Sequence, residues 1–234
     1  MVLPANEFLR SLTRLDLEMI RPHLRDVQFG PSAVLYDAGD VIDRLYFPTE
    51  GIIALVVVLE NGDMVEAGII GFDGVVGTPA ALDGAIALHR AVVQAQGAGL
   101  TIDIASMRAA VATSRSLRIK IYEHDQILLA QAQQSAACNA KHEIEARLCR
   151  WLLRTLDLVR NDKLVVTQDF LAQMLGVRRT SVTLAARRLQ KAGIISYQRG
   201  KISIRDVDGL KSASCECYEA VKTHTKRLAM ADVK

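Results

Sequence analysis

The segment that most constrains this chain is residues 167–191, which has the pattern of two short helices joined by a tight turn. Leu171, Ala172 and Leu175 give the first helix an apolar face. Gly176 follows where such a turn requires a residue that tolerates positive φ. The small Ala172 lets the two helices approach closely, so the segment predicts a helix-turn-helix.

In the second predicted helix, Val182 and Ala185 lie on one face, which we expect to point toward the core. From Gly176 to Lys191 every charged residue is a cation. Such a helix can enter a major groove of DNA while its flanks contact phosphates. The alternative, an ordinary helical corner with a solvated basic face, is left open by this segment alone.

The residues that follow favour DNA binding. Ile194 to Tyr197 and Ile202 to Ile204 are typical of short strands, and Arg199, Gly200 and Lys201 form a tight turn between them. This pattern predicts a basic-tipped wing beside the second helix, where backbone phosphates would run.

Charge is divided unevenly along the chain. Residues 1–140 contain 10 basic and 16 acidic side chains, whereas residues 141–234 contain 19 basic and 10 acidic ones. The basic half attracts polyanions, and it is the half that contains the predicted helix-turn-helix.

The composition, 50% hydrophobic and 24% charged over 234 residues, is that of a soluble globular protein of one large or two small domains. The longest apolar stretch, Ile52 to Leu59, is too short to span a bilayer, and we expect a cytoplasmic protein with no membrane partner. The four cysteines lack the spacing of a disulfide framework or of a paired Cys-x-x-Cys zinc site, so no metal site is predicted. Cys215 and Cys217 are interpreted as ordinary thiols on a tail helix, with a redox pair as the alternative.

The first half has two kinds of pattern. Residues 7–25 predict one or two short helices, and residues 27–104 contain many short apolar runs separated by glycine. Asn61-Gly62 between two such runs indicates a hairpin. The repeated short strands predict an antiparallel β-roll of the jelly-roll kind, and the chain as a whole is predicted to be α+β.

Helical patterns return after Ser106, and a long helix is predicted with a seam at alternating spacings of four and three. We interpret this seam as a dimer interface, with a helix packed on its own roll as the alternative. The seam residues are Leu117, Ile121, His124, Leu128, Gln131 and Ser135. The predicted domains are a roll at 1–112, a dimerisation helix at 113–140 and a winged helix-turn-helix at 141–234.

The order of roll, long helix and winged helix-turn-helix resembles the Crp/Fnr superfamily of bacterial transcription regulators. The resemblance rests on Gly39-Asp40, Gly51, Leu171-Ala172, Leu175-Gly176 and Arg179-Thr180-Ser181-Val182. It implies a homodimer that binds a two-fold symmetric site in double-stranded DNA and recruits or blocks RNA polymerase. It also implies that the chain is not an enzyme, in agreement with the absence of catalytic motifs from the sequence.

The resemblance assigns roles in the second helix. Arg179 keeps the family's arginine and is expected to bind a guanine edge, whereas Thr180 and Leu184 replace the family's glutamate and later arginine, so a different operator is expected. The full set of predicted DNA contacts is Thr167, Arg178, Arg179, Thr180, Ser181, Thr183, Leu184, Arg187, Arg188, Arg199 and Lys201.

The resemblance also locates an effector pocket. Thr78, His89 and Arg90 correspond to the residues that bind cyclic AMP in some family members, but none is the residue type found there. We therefore expect no cyclic AMP binding. An iron-sulfur cluster is not expected because no cysteine precedes Cys138, and a histidine-bound haem is not predicted, so no cofactor is expected.

An alternative of a different class is an effector-binding module that uses the winged domain for protein contacts. Such a domain need not be basic, so the charge division favours DNA.

Overall fold

The computed structural model describes residues 5–84, 86–159, 163–198 and 200–231. The chain divides into two compact units, one of Met1–Leu55 with Ile69–Leu129 and the other of Val56–Gly68 with Ala130–Lys234. This division differs from the predicted ranges because residues 56–68 join the second unit and one long helix contributes to both. Among the described helices, none is long and apolar enough to cross a membrane.

The first unit begins with two short helices, as predicted, and each starts with a side-chain cap. Helix α1 (Glu7–Ser11) begins after Asn6, which accepts a hydrogen bond from the Leu9 amide, and α2 (Arg14–Ile20) begins after Thr13. These caps satisfy amides that have no partner within the helix.

The strands between residues 25 and 103 form an antiparallel roll, which confirms the predicted fold. One sheet has the order β1-β7-β3 and the other has the order β2-β6-β4-β5. The strands are β1 (Arg25–Phe29), β2 (Val34–Tyr36), β3 (Arg44–Pro48), β4 (Ile52–Val58), β5 (Met64–Ile70), β6 (Arg90–Ala95) and β7 (Gly97–Asp103).

The roll departs from the predicted strands in two places. Strand β1 was not predicted, since most of its residues are polar or exposed. One of the short apolar runs predicted as strands, Val75-Val76, does not form a strand, and Val76 instead makes a single bridge to Tyr46. Gly51 is required at its turn because its φ is +84° and a Cβ there would lie 2.6 Å from the Ala95 carbonyl oxygen.

Helices α3 (Ile104–Thr113) and α4 (Arg115–Lys141) follow the roll. The face of α4 predicted as a dimer seam is buried within the chain. Leu117 and Ile121 have no exposed surface and belong to the core cluster that also contains Phe47, and the His124 ring bonds to the backbone of Val75. Leu128 packs on the roll core, and Gln131 and Ser135 are buried.

This burial corrects the interpretation of Leu117, Ile121, His124, Leu128, Gln131 and Ser135 as a seam between two copies. A helical stripe must be covered by something, and here the same chain covers it. The alternative of a helix packed on its own roll describes Leu117, Ile121, His124 and Leu128, while Gln131 and Ser135 are buried within the second unit.

The second unit contains α5 (Ile144–Leu158), α6 (Gln168–Leu175) and α7 (Arg179–Lys191), followed by two strands and two helices. A three-stranded antiparallel sheet has the order β8-β10-β9, in which β8 was not predicted. The remaining elements are β8 (Lys163–Val165), β9 (Ile195–Gln198), β10 (Lys201–Ile204), α8 (Val207–Ala213) and α9 (Cys217–Ala231).

A hydrogen bond ties residues 56–68 into the second unit. The Trp151 indole N–H donates to the Glu66 carboxylate over 2.8 Å. Burial of this carboxyl group raises the pKa of Glu66 to about 7, against the lowering effects of the Trp151 bond and of Arg150 and Arg154.

Candidate nucleic-acid interface

The turn between α6 and α7 is fixed by local chemistry at both ends of α6. Thr167 accepts a hydrogen bond of 3.1 Å from the Phe170 amide, which caps the start of α6. Gly176 ends the helix with φ of +61°, a conformation that glycine adopts without strain. Helix α7 begins three residues later, so the predicted helix-turn-helix is confirmed.

One face of α7 is buried and sets the orientation of all its other side chains. Its residues, spaced by three, one and three, are Val182, Ala185, Ala186 and Leu189. On α6 the buried residues are Leu171, Ala172, Met174 and Leu175. The small alanines on both helices allow close packing, as the sequence predicted.

The opposite face of α7 is solvent-exposed. Successive residues in an α-helix are about 100° apart, which places the centre of this face at four positions. They are Thr180, Leu184, Arg187 and Lys191. Leu184 keeps 56% of its surface exposed, so its apolar side chain is available for contact on this face. This face combines two cations with a hydroxyl and an apolar group.

The flank of α7 nearest α6 is held by polar contacts to α6. Arg179 forms an ion pair of 3.3 Å with Asp169, and both side chains are about two-thirds exposed. The Thr183 hydroxyl donates to Gln168 Oε1 over 2.6 Å. Arg179 is therefore positioned beside the exposed face by an acid that competes with any phosphate for its guanidinium.

The other flank of α7 lies near the start of α5. Arg188 forms an ion pair of 3.7 Å with Glu145, and Ser181 is partly buried on the same side. Arg178 precedes the first turn of α7 and is exposed. That first turn, which the structure describes in full, contains no acid, so its free amides are available to an anion.

Hydrogen bonds join the wing to α7 and to Val166, the residue before Thr167. The Tyr197 amide donates to Gln190 Oε1 over 3.3 Å, and the Tyr197 hydroxyl donates to the Val166 carbonyl over 3.1 Å. Lys201 is exposed at the start of β10, next to the turn at Gly200. Arg199, predicted as the second cation of the wing tip, lies outside the described residues.

The three predicted effector residues lie in the first unit, and each has a different polar partner. The Thr78 hydroxyl is buried and donates to Asp125 Oδ1 over 2.5 Å, and the His89 Nε2 lies 3.1 Å from the Tyr36 hydroxyl. Arg90 instead forms a bidentate pair with Asp37, at 2.7 and 2.9 Å.

The acidic partners of Thr78 and Arg90 were not apparent from the sequence. Burial raises the pKa of Asp125 and lowers the pKa of His89. An acid thus occupies the neighbourhood of Thr78, while the guanidinium of Arg90 is turned to Asp37. Asp125 and Tyr36 were missed because their association with Thr78 and His89 depends on contacts between distant segments.

Residues 146–213 match the family model of the Crp-like helix-turn-helix domain. A search of curated proteins finds no match. Among solved structures the chain is similar to FixK2 from Bradyrhizobium japonicum, with 14% identity, a TM-score of 0.72, and coverage of 82% of this chain and 98% of that one.

Two further structures have comparable similarity. One is a CRP/FNR-family transcriptional regulator from Thermus thermophilus, with 24% identity, a TM-score of 0.66, and coverage of 83% and 98% of the two chains. The other is the c-di-GMP-responsive global regulator CLP from Xanthomonas campestris, with 17% identity, a TM-score of 0.64, and coverage of 82% and 99%.

These matches identify a Crp-like helix-turn-helix domain at residues 146–213 and show that the chain shares the fold of these solved regulators. The predicted resemblance to the Crp/Fnr fold is thereby confirmed.

The ion pair between Arg179 and Asp169 gives a test of the interface. We expect Asp169→Asn to tighten binding to duplex DNA by up to about fivefold, because exposed ion pairs are worth roughly 0.2–1 kcal/mol and the substitution removes a charge that repels phosphate. Fluorescence anisotropy at fixed salt measures this change. Asp208→Asn is the matched control, since Asp208 lies in the first turn of α8 and is also ion-paired and exposed. Weaker binding by the Asp169 variant alone would contradict the expectation.

Proposed function

We propose that this chain is a homodimeric transcription regulator in which the exposed face of α7 reads a two-fold symmetric operator. The observation that carries the proposal is the combination of Thr180, Leu184, Arg187 and Lys191 on the face opposite the buried one. Cations contact phosphates, while a hydroxyl and an apolar side chain suit base edges and a thymine methyl group. As a cytoplasmic regulator bound at its operator, it would act on RNA polymerase.

The proposal is tested by selecting genomic fragments with the purified protein and no added ligand. A palindromic motif with half-sites roughly 34–36 Å apart supports a dimer with one recognition helix per half-site. Retention on a DNA column that does not respond to salt would instead favour a winged domain used for protein contacts.

Dimerisation is proposed through the outward face of α4. This face has apolar residues at Ile119, Tyr122 and Leu129, which keep 41%, 58% and 50% of their surfaces exposed. Ile119, Gln126 and Gln133 recur every seven residues, and so do Tyr122, Leu129 and Ala136, which together give the two positions of a heptad seam. An exposed stripe with this period is typical of a two-helix seam, and a two-fold interface suits a palindromic site.

Leu129 tests this interface. We expect Leu129→Lys to weaken dimerisation by at least about thirtyfold, since a central apolar residue of a seam contributes about 2 kcal/mol or more. Light scattering coupled to size exclusion over a range of protein concentrations measures the mass. Leu88→Lys is the control, because Leu88 is 87% exposed and lies on a loop of the roll. A Leu129 variant that stays dimeric would contradict the assignment.

Arg179 is proposed to read a guanine in the selected operator. We expect Arg179→Ala to remove about 1–3 kcal/mol of preference for that operator while leaving salt-sensitive non-specific binding. Arg179→Lys keeps the charge but not the bidentate geometry, so it should lose most of the same preference. Competition binding with operator and scrambled duplexes gives the specificity ratio. An unchanged ratio in both variants would refute the role.

Cyclic AMP is proposed not to be the effector. Thr78 is hydrogen-bonded to Asp125 and Arg90 is paired with Asp37, so both of these predicted ligand-binding side chains already have partners within the protein. Isothermal calorimetry with cyclic AMP is expected to show no saturable binding at micromolar concentrations. The same preparation must bind DNA, which verifies that it is folded. A micromolar Kd would overturn this part of the proposal.

A further inference from the structure

A cluster of potential metal ligands lies in the second unit, away from the exposed face of α7. It contains Cys138 in the last turn of α4 and His142 just after it, with Cys215 between α8 and α9 and Cys217 at the start of α9. The four ligand atoms all lie within 4.8 Å of one another. The sequence predicted no metal site because its spacing matches no zinc motif, and 77 residues separate Cys138 from Cys215.

The distances between the ligand atoms suit a single tetrahedral ion. The sulfurs of Cys138 and Cys215 are 3.5 Å apart, and the Cys217 sulfur is 3.5 Å from His142 Nδ1. Zinc bonds of about 2.3 Å to sulfur and about 2.0–2.1 Å to nitrogen, at tetrahedral angles, give edges of about 3.8 and about 3.6 Å. The two 3.5 Å separations are within a few tenths of an ångström of these edges, and a separation at the 4.8 Å limit of the set would shorten by about 1 Å when the ligands close on the ion.

Neighbouring polar groups orient two of these ligands. His142 Nε2 lies 3.2 Å from a carboxylate oxygen of Glu216, while Nδ1 faces Cys217. A histidine that donates one ring N–H to a carboxylate presents the lone pair of its other nitrogen, which is the arrangement found around zinc. The Gln134 amide also donates to the Cys217 sulfur over 3.0 Å.

A buried cation beside the cluster matches the charge that a metal would create. Arg147 is 6% exposed, and its guanidinium interacts electrostatically with Cys138 and Cys215. The same guanidinium donates a hydrogen bond to the Leu175 carbonyl at the end of α6. One divalent ion with three thiolates and a neutral histidine has a net charge of −1, which would balance this buried cation.

We propose that Cys138, His142, Cys215 and Cys217 bind one Zn²⁺ ion per chain. Zinc binding releases three thiol protons, and all four positions are filled by protein, which is typical of a structural site. Soft thiolate ligands favour zinc over magnesium, calcium or manganese. The ion fastens the last turn of α4 to the connection between α8 and α9.

A disulfide between Cys138 and Cys215 is the competing use of these residues. It would draw two sulfurs to about 2.05 Å and leave Cys217 and His142 without a common partner. The contacts of His142 to both Cys217 and Glu216 favour the metal.

The experiment is metal analysis of the full chain, purified without a histidine tag under reducing conditions and reconstituted with ZnCl₂. Inductively coupled plasma mass spectrometry is expected to show about one zinc ion per wild-type chain. The Cys138→Ser and Cys217→Ser variants should each retain less than about a tenth of this zinc content. Cys149→Ser is the matched control, because Cys149 is a buried free cysteine outside the cluster and should keep the metal.

Wild-type protein supplies a second readout that does not depend on folding of the variants. After chelation, titration with Co²⁺ should give the visible absorption of a tetrahedral thiolate complex at one equivalent, displaced by Zn²⁺. Substoichiometric zinc, loss of zinc only in the Cys149 variant, stoichiometric iron with sulfide, or a Cys138–Cys215 disulfide in reduced buffer would each overturn the proposal.

Discussion

Burial of one stripe of α4 determines both the apolar face that this helix exposes and the position of Cys138 in the cysteine cluster. Leu117 and Ile121 are fully enclosed at one end of the helix, and Cys138 is fully enclosed at the other. Because an α-helix has a fixed period, burial of this stripe determines what its remaining faces present. It leaves Ile119, Tyr122 and Leu129 exposed, and it directs Cys138 toward the cysteines that follow α8.

The same reasoning applies to α7. Burial of one side of α7 fixes Thr180, Leu184, Arg187 and Lys191 on the opposite side without any contact to them. The flanks are then set by electrostatics, since Asp169 and Glu145 hold Arg179 and Arg188 close to the protein. Under the proposed function, DNA would exchange these weak ion pairs for phosphate contacts, which adjusts affinity for DNA at little cost in the stability of the fold.

Most of the fold could be predicted from the sequence because its signals are local. Asn61-Gly62, Gly176 and the wing turn each depend on the conformational preferences of a few adjacent residues, and all three mark turns in the structure. The prediction failed where a strand lacks such a signal: β1 is largely polar or exposed, and β8 is only three residues long. Short edge strands are specified by their partners and not by their own composition.

The order of elements, the basic helix-turn-helix and the division of charge could all be predicted from the residues alone, since periodicity and turn signals depend on near neighbours. Only the tertiary structure decided which face of α4 is covered, because a period shows that a stripe exists but not which surface buries it. Tertiary structure also decided the partners of Thr78, His89 and Arg90, and it assembled Cys138 and His142 with Cys215 and Cys217. A ligand set whose members are far apart in the chain leaves no spacing to recognise, since only folding brings its atoms within bonding reach.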